Sequence, residues 1–206
     1  RVAEAQESLM AALQQHRAMG NIRSEGIVLG QLGLLQAQSG QHSAALTSYT
    51  AALQRQRAVG NARSEGIVLS NLGGLQLSLG DIETGTRMLQ DAAALCRSLG
   101  DDRFEGFAMG NLSTAHRLRG DHAAASHCAA EAIRLHRAAR FRAVSPVWRS
   151  FQALAVSAAG DADGALVMAR EAVAECRPGS KVEAYALAAL ARVHLCLLYT
   201  SDAADE

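Results

Sequence analysis

The chain has 206 residues, of which 49% are apolar and only 4% aromatic, and its 20 basic residues balance 20 acidic ones. This balance excludes a global attraction to nucleic acid or to an anionic membrane surface, and no apolar run approaches the roughly 18–20 residues of a membrane span. A core of alanine, leucine and valine favours close-packed helices over a sheet sandwich or barrel. Nineteen arginines against one lysine, together with abundant alanine and glycine, indicate a GC-rich bacterial gene.

The sequence repeats itself every forty residues. Asn21–Gly40 agrees with Asn61–Gly80 at 13 of 20 positions. Two series of glycines mark the period, half a repeat apart: Gly40, Gly80, Gly120 and Gly160, and Gly20, Gly60 and Gly100. Each interval predicts a helix of about eighteen residues that ends at a left-handed glycine, and the Asn or Asp that follows is expected to cap the next helix.

The chain therefore alternates between two kinds of helix, A and B. In B helices, small or apolar residues recur on one face, as Ala45, Tyr49, Ala52 and Leu53 do. In A helices a Leu-Gly pair supplies one apolar side chain and a position where the partner helix can approach closely. One such hairpin cannot bury its own faces, so the hairpins are expected to stack.

These residues resemble the tetratricopeptide repeats. The family pattern is Leu-Gly in helix A, a Gly-Asp turn, and two alanines in helix B. It stands here as Leu32-Gly33, Gly40-Gln41, Ala45 and Ala52; Leu72-Gly73, Gly80-Asp81, Gly85 and Ala92; Leu112-Ser113, Gly120-Asp121, Ala125 and Ala132; and Gly160-Asp161, Ala165 and Ala172. The forty-residue period is similar to that of kinesin light chains, spindle-orientation adaptors and bacterial signalling regulators. The resemblance implies an all-α solenoid, a right-handed superhelix whose concave face, lined by A helices, binds a peptide or partner domain.

The pattern divides the chain into successive units. They are helix B of a truncated repeat (1–20), three repeats (21–60, 61–100 and 101–140), a degenerate fourth repeat (141–180), and the start of a fifth (181–195). In the fourth repeat, Pro146 is expected in the first turn of helix A, where proline is tolerated.

The last eleven residues, 196–206, break the pattern where another Gly-Asp turn is due. Their sequence, CLLYTSDAADE, back-translates into a transposase adapter used in sequencing libraries. We expect this segment to be a cloning or assembly artefact on a truncated gene and leave it out of functional reasoning.

Three copies carry an Arg-x-Glu-Gly motif, which begins at Arg23, Arg63 and Arg103. One interpretation is structural: the Glu favours the N-terminal end of the helix dipole, and a nearby Arg bridges to the neighbouring repeat. The alternative is that the three arginines line a groove edge and meet acidic groups of a ligand.

Gln31, Asn71 and Asn111 precede the Leu of each Leu-Gly or Leu-Ser pair. The resemblance implies that this position faces the groove, where an amide can bond a bound peptide through its donor and its acceptor. The alternative is an amide that only satisfies a neighbouring helix. In the fourth copy Phe151 occupies this place, and Trp148 lies one turn before it. These aromatic residues either fill the core of a degenerate repeat or form an anchor pocket for a ligand.

A search for catalytic motifs finds no phosphate loop, no HExxH, no GxSxG and no paired cysteines. We therefore expect no enzyme, cofactor or metal site. The seven histidines are expected at the surface or in the groove, and the four cysteines are expected to be small buried residues of a reducing compartment.

The sequence favours a cytoplasmic protein-interaction scaffold, with a protein or peptide as its partner and no direct contact with nucleic acid or membrane. It is expected to be a fragment of a larger bacterial regulator or adaptor. Two alternatives stay open: a small-molecule-sensing arm of a multidomain ATPase, kinase or transcription activator, and a spacer that self-associates through exposed repeat ends.

Overall fold

A computed structural model of the chain describes residues 2–202, and its side chains as far as residue 198. Residues 203–206 of the expected artefact lie outside the described residues. The described part consists of ten α-helices and one 3-10 turn: α1 (Val2–Ala18), α2 (Ile22–Gln38), α3 (His42–Ala58), α4 (Ala62–Ser78), α5 (Ile82–Ser98), α6 (Asp102–Leu118), α7 (His122–Ala138), the 3-10 turn (Arg142–Val144), α8 (Ser145–Ala158), α9 (Ala162–Ala174) and α10 (Lys181–Asp202). The predicted all-α fold of paired helices is confirmed.

The glycine turns have the predicted left-handed conformation. All seven glycines of the two series have positive φ, from 62° at Gly60 to 97° at Gly160. Glycine adopts this conformation without the steric cost that a Cβ atom brings. Where the period places residue 140, the chain has an arginine instead, and Arg140 is in the same region with a φ of 55°.

Most of these turns have the predicted N-cap, but one does not. The side chains of Asn21, Asp81, Asp101, Asp121 and Asp161 accept a hydrogen bond from the backbone N–H three residues later. At Asn61 the prediction is wrong, because its side chain makes no such bond. Its amide Nδ2 donates instead to the side chains of Gln56 and Ser64.

The chain forms two compact units, one ending at Gly100 and one beginning at Asp101. In unit 1, α2 pairs with α3 and α4 with α5, and the A helices α2 and α4 also touch. In unit 2, α6 pairs with α7 and α8 with α9, the A helices α6 and α8 touch, and α10 packs on both α8 and α9. Each unit is thus a stack of helix hairpins.

The Leu-Gly pairs let helices A and B come close together, as predicted. A Cβ atom on Gly33 would lie 2.8 Å from the ring of Tyr49, which is 1% exposed. In the next repeat, a Cβ atom on Gly73 would lie 2.8 Å from Leu89. The predicted alanines of helix B are fully buried at Ala45, Ala52, Ala92, Ala125, Ala132, Ala165 and Ala172.

The fourth pair of helices departs from the others at its start. Pro146 lies in the first turn of α8, as predicted, after a 3-10 turn that begins at Arg142. The last helix continues through Leu195 to Asp202 without a turn.

Candidate functional site

The candidate site is a groove in unit 1 between the A helices α2 and α4. It encloses about 200 Å³, and ten residues from three helices line it. We call it the α2–α4 groove; its lining consists of Gly26, Ile27, Gly30, Gln31, Leu34, Gln56, Ser64, Ile67, Val68 and Asn71. Two predicted site residues, Gln31 and Asn71, are therefore brought together.

The Leu-Gly pair fixes the direction of each amide side chain. Leu32 and Gly33 follow Gln31 directly and are buried, and a Cβ on Gly33 would meet Tyr49 of α3. Because successive residues on a helix lie about 100° apart, this burial turns Gln31 away from α3 and toward the groove. The same arrangement recurs on α4, where Leu72 is buried and Asn71 is half-buried.

Apolar side chains stand beside these amides and remain open to solvent. Ile27 is 41% exposed and Leu34 is 42% exposed, and Ile67 of α4 is half-buried. Large apolar side chains at the wall of a concave site are the usual source of binding energy, and a few polar groups among them fix the orientation of a ligand. The groove has both.

The three motif arginines lie at the start of their A helices with exposed side chains. Arg103 is placed over the ring of Phe141, with its guanidinium carbon 4.0 Å from the ring centroid, and also lies 5.5 Å from the centroid of Phe104. Arg23 and Arg63 are on α2 and α4 of unit 1, the helices of the groove, although neither lines it.

The Glu of the motif is structural in the first copy. Glu25 is 5% exposed, and its carboxylate accepts hydrogen bonds from Arg17 Nε at 3.0 Å and from Arg55 Nε at 3.2 Å. Burial alone would raise the pKa of Glu25, but the hydrogen bonds and charges of the two arginines outweigh it and hold the pKa below 4.5. The neighbouring helices α1 and α3 thus provide the partners, as the structural interpretation requires, and Arg23 is not one of them.

The Gly of the motif has a packing role that the sequence did not reveal. A Cβ atom there would lie within 3.0 Å of the following B helix: of Gln56 and Arg55 for Gly26, of Cys96 for Gly66, and of His136 for Gly106. The backbones approach so closely that side chains of helix B reach the first turn of helix A. Gln56 Nε2 donates to the carbonyl of Arg23 at 3.3 Å.

His136 contradicts the expectation that the histidines lie at the surface or in a groove, because it is fully buried. The indole N–H of Trp148 donates to His136 Nδ1 at 2.9 Å, so Nδ1 is an acceptor and the proton is on Nε2. Nε2 then donates to the carbonyl of Arg103 at 3.0 Å. Burial is the main reason that the pKa of His136 lies below 6.5. The forty-residue spacing from Gln56 and Cys96, both buried, could have revealed this position.

Trp148 and Phe151 lie in unit 2, in an aromatic cluster. Trp148 is 6% exposed, and its ring stacks on His136 with 6.1 Å between centroids. Phe151 is half-buried with its centroid 5.5 Å from that of Trp148. The burial and the occupied N–H of Trp148 support its packing role. Asn111, the remaining predicted amide, is half-buried on α6.

The part of the chain that the structure describes contains no group of three His, Cys, Asp or Glu side chains that could hold a metal ion. Two of the four cysteines, Cys96 and Cys128, are buried as expected. The prediction of burial is wrong for Cys176, which is half-buried, and for Cys196, which is exposed. Between residues 2 and 202 no helix combines the length and the apolar character needed to cross a membrane.

Comparison with known proteins identifies the repeat. Residues 64–138 match the model of the tetratricopeptide repeat. The fold is similar to that of BtubC from P. vanneervenii, with a TM-score of 0.76 and 14% identity over 96% of this chain and 84% of that one. It is also similar to the TPR-like repeats of a Podosopora anserina protein assigned as a kinesin light chain (TM-score 0.65, 15% identity, 86% of this chain and 89% of that one).

A third similar structure belongs to a larger protein. This is a signal transduction ATPase with numerous domains from Pyrococcus horikoshii that has a tetratricopeptide repeat sensor (TM-score 0.62, 16% identity). The match covers 95% of this chain and 34% of that one. No curated protein matches the sequence. Residues 64–138 therefore match the tetratricopeptide repeat, and the chain as a whole shares its fold with proteins that contain such repeats.

Proposed function

We propose that this chain is a protein-interaction scaffold whose α2–α4 groove binds an extended peptide or a segment of a partner domain. The tetratricopeptide fold serves generally as such a scaffold, and the proposal assigns this chain a role in binding rather than catalysis, in the cytoplasm. The observation that carries it is that Gln31 and Asn71, from two successive repeats, line one groove with apolar walls.

The groove has the chemistry that a peptide needs. Each amide offers an N–H donor and a carbonyl acceptor, which is the complement of a peptide backbone unit. Ile27 and Leu34 would lose exposed apolar surface to the bound chain, at about 25 cal/mol for each Å² removed from water. Arg23 and Arg63, exposed at the start of the same two helices, would meet acidic side chains of the partner.

The test is selection of peptides from a random display library on the whole chain, followed by affinity measurement of the best peptide against variants. The double variant Gln31→Ala/Asn71→Ala should weaken binding by about 1–3 kcal/mol and leave the melting temperature unchanged. The control is Gln54→Ala, which removes an exposed amide from α3 outside the groove lining. Peptides that bind the double variant as tightly as the parent would contradict the proposal, and a lowered melting temperature would assign the two amides to the scaffold.

We propose a second candidate, a small-molecule-sensing arm of a multidomain regulator. Similarity to the repeat sensor of the Pyrococcus horikoshii ATPase favours it. The test is to sequence the source DNA on both sides of the coding segment. An adjoining ATPase, kinase or DNA-binding module in the same reading frame would support the sensing arm, and a reading frame with repeats alone would support the free-standing scaffold.

A further inference from the structure

The α2–α4 groove and the Trp148 cluster occupy equivalent positions in two different hairpin stacks. Two repeats span eighty residues, so each lining residue of the groove has a counterpart eighty residues later in unit 2. The pairs that matter are Gly26 and Gly106, Gly30 and Gly110, Gln56 and His136, Val68 and Trp148, and Asn71 and Phe151.

In unit 2 an indole ring fills the space between the A helices. A Cβ atom on Gly110 would lie 2.6 Å from the ring of Trp148, so this ring lies directly on the α6 backbone. The ring also stacks on His136 and contacts Phe107 and Phe151 edge-on. Its N–H is bonded to His136 Nδ1. The site therefore holds a flat fused ring, and His136 accepts the hydrogen bond of the only N–H on that ring.

In unit 1 the same position has a smaller side chain and the space stays open. Val68 stands in the place of Trp148, and its Cγ2 is 3.5 Å from the Cβ position of Gly30, in place of the 2.6 Å seen at Gly110. Gly26 and Gly30 add no side chains to the floor of the groove. The result is the volume of about 200 Å³ that the groove encloses.

This volume suits one small ring system. An apolar cavity of about 150 Å³ is large enough to bind benzene, whereas drug-sized ligands occupy pockets of about 300–1,000 Å³. A groove of about 200 Å³ therefore matches a fused bicyclic ring. The apolar walls, with Ile27, Leu34 and Ile67, are suited to the faces of such a ring.

Gln56 stands where His136 accepts the indole N–H. Its Oε1 already accepts one hydrogen bond from Asn61 Nδ2 at 2.8 Å, and a carbonyl oxygen has a second lone pair. Gln56 has no exposed surface, yet it lines the groove. A donor at the edge of a bound ring would thus find an acceptor at the equivalent place.

We propose that the α2–α4 groove is the open counterpart of the Trp148 site and binds a small, free heteroaromatic molecule of the indole type, a planar fused ring with one N–H donor. This goes beyond the proposed binding of a peptide, although both use the same groove. The ring would lie against Gly30, as Trp148 lies against Gly110, with its N–H directed to Gln56 beside Gly26.

The first measurement is a titration of the whole ¹⁵N-labelled chain with indole, followed through the backbone amide resonances of Gly26 and Gly30. Binding should saturate with a Kd on the order of 1 mM or tighter for a ligand of this size. 1-Methylindole has the same ring without the donor and should bind about two- to tenfold more weakly. If neither glycine resonance shifts at an indole concentration of about 10 mM, tenfold above the expected Kd, the proposal is overturned.

The decisive variant is Val68→Trp with Gln56→His, which gives unit 1 the indole and the acceptor of unit 2. Its own ring should fill the groove, so indole binding should fall at least tenfold while the melting temperature stays the same or rises. Val68→Leu is the matched control, because it adds bulk without a ring that could fill the site. Unchanged indole binding in the folded double variant would refute the proposal.

The reciprocal variant, Trp148→Val, should open a second site. Indole should then also shift Gly106 and Gly110, and the titration should fit two ligands per chain. A folded variant that shows no such shift would count against the equivalence. If Trp148→Val does not fold, the proposal is still tested by the indole titrations of the parent chain and of the Val68→Trp/Gln56→His double variant.

Two further results separate the ring site from peptide recognition. N-Acetyltryptophanamide carries the indole ring on a peptide unit. If it binds more tightly than indole, and if Asn71→Ala abolishes this difference in affinity, the natural occupant is a tryptophan-like side chain of a peptide. A free heteroaromatic ligand is then excluded. If a selected peptide binds and indole does not, the ring site fails alone. If neither binds, the proposed function fails as well.

Discussion

The α2–α4 groove of unit 1 and the Trp148 cluster of unit 2 lie at equivalent positions of the repeat, but the groove is open and the cluster is filled by side chains. In both, a glycine on the first A helix leaves the backbone uncovered, and the next A helix presents a side chain toward it. That side chain is Val68 in one case and Trp148 in the other, with Cβ distances of 3.5 Å and 2.6 Å at Gly30 and Gly110. The two sites share one frame and differ at several equivalent positions, and the contrast between Val68 and Trp148 shows the difference in the space between the A helices most directly.

The largest difference in the free energy of unfolding is expected between the alanine substitutions of Gly110 and of Gly30. Gly110→Ala pushes a Cβ atom into the buried Trp148 ring, and overpacking of this kind costs about 1–3 kcal/mol. Gly30→Ala has only Val68 at 3.5 Å and should be neutral or stabilising by up to about 1 kcal/mol, since alanine favours a helix over glycine. Urea unfolding of both variants tests the comparison; equal effects would mean that the two sites do not differ in packing.

An intermediate effect concerns pH, because unit 2 uses a histidine where unit 1 uses Gln56. The pKa of His136 is lowered in the folded chain, so the unfolded chain binds this proton first as pH falls. The stability that neutral His136 contributes is complete above pH 6.5 and is lost as pH drops below it, by at most about 1.4 kcal/mol per pH unit. Unfolding at pH 7.5 and 5.5 (roughly one unit on either side) should show the loss, and His136→Gln should reduce it. The same pH dependence in His136→Gln would assign the effect to other groups.

The smallest effect is expected at a turn. Arg140 is in the left-handed region with a φ of 55°, where every other turn of the two glycine series has glycine. Arg140→Gly should stabilise the chain by about 0.5–1 kcal/mol. The removal of the Cβ clash stabilises the folded turn by more than the added freedom of glycine stabilises the unfolded chain. Thermal unfolding measures the gain, with Arg142→Gly as the control in the following 3-10 turn. A loss of stability would show that the Arg140 side chain has a role that the turn geometry does not reveal.

The sequence predicted the fold well, since the features that specify it are local and recur. A glycine at a turn and a Leu-Gly pair act within one hairpin, so spacing alone indicates them. The family resemblance implied that Gln31 and Asn71 face a groove, and both line the α2–α4 groove, whereas their role in binding stays a prediction.

The sequence did not predict the contacts that depend on the next helix in the stack. The burial of His136 and the open space beside Val68 follow from how deeply one hairpin enters the next, which no periodicity within a hairpin reveals. The failed cap at Asn61 has a local origin instead, since its amide donates to the side chains of Gln56 and Ser64 on either side of the turn. Neighbours on other helices therefore decided the environment of His136 and of Val68.

The burial of Trp148 also gives the molecule a built-in optical reporter. It is the only tryptophan in the sequence, so the intrinsic indole fluorescence of the chain reports on unit 2. Tyr49, 1% exposed and with a pKa raised to about 12 by burial, is the only tyrosine before residue 101, and its ring proton resonances report on unit 1. Melting followed at both signals would therefore show whether the two halves of the chain lose their structure together or in succession, without any added label.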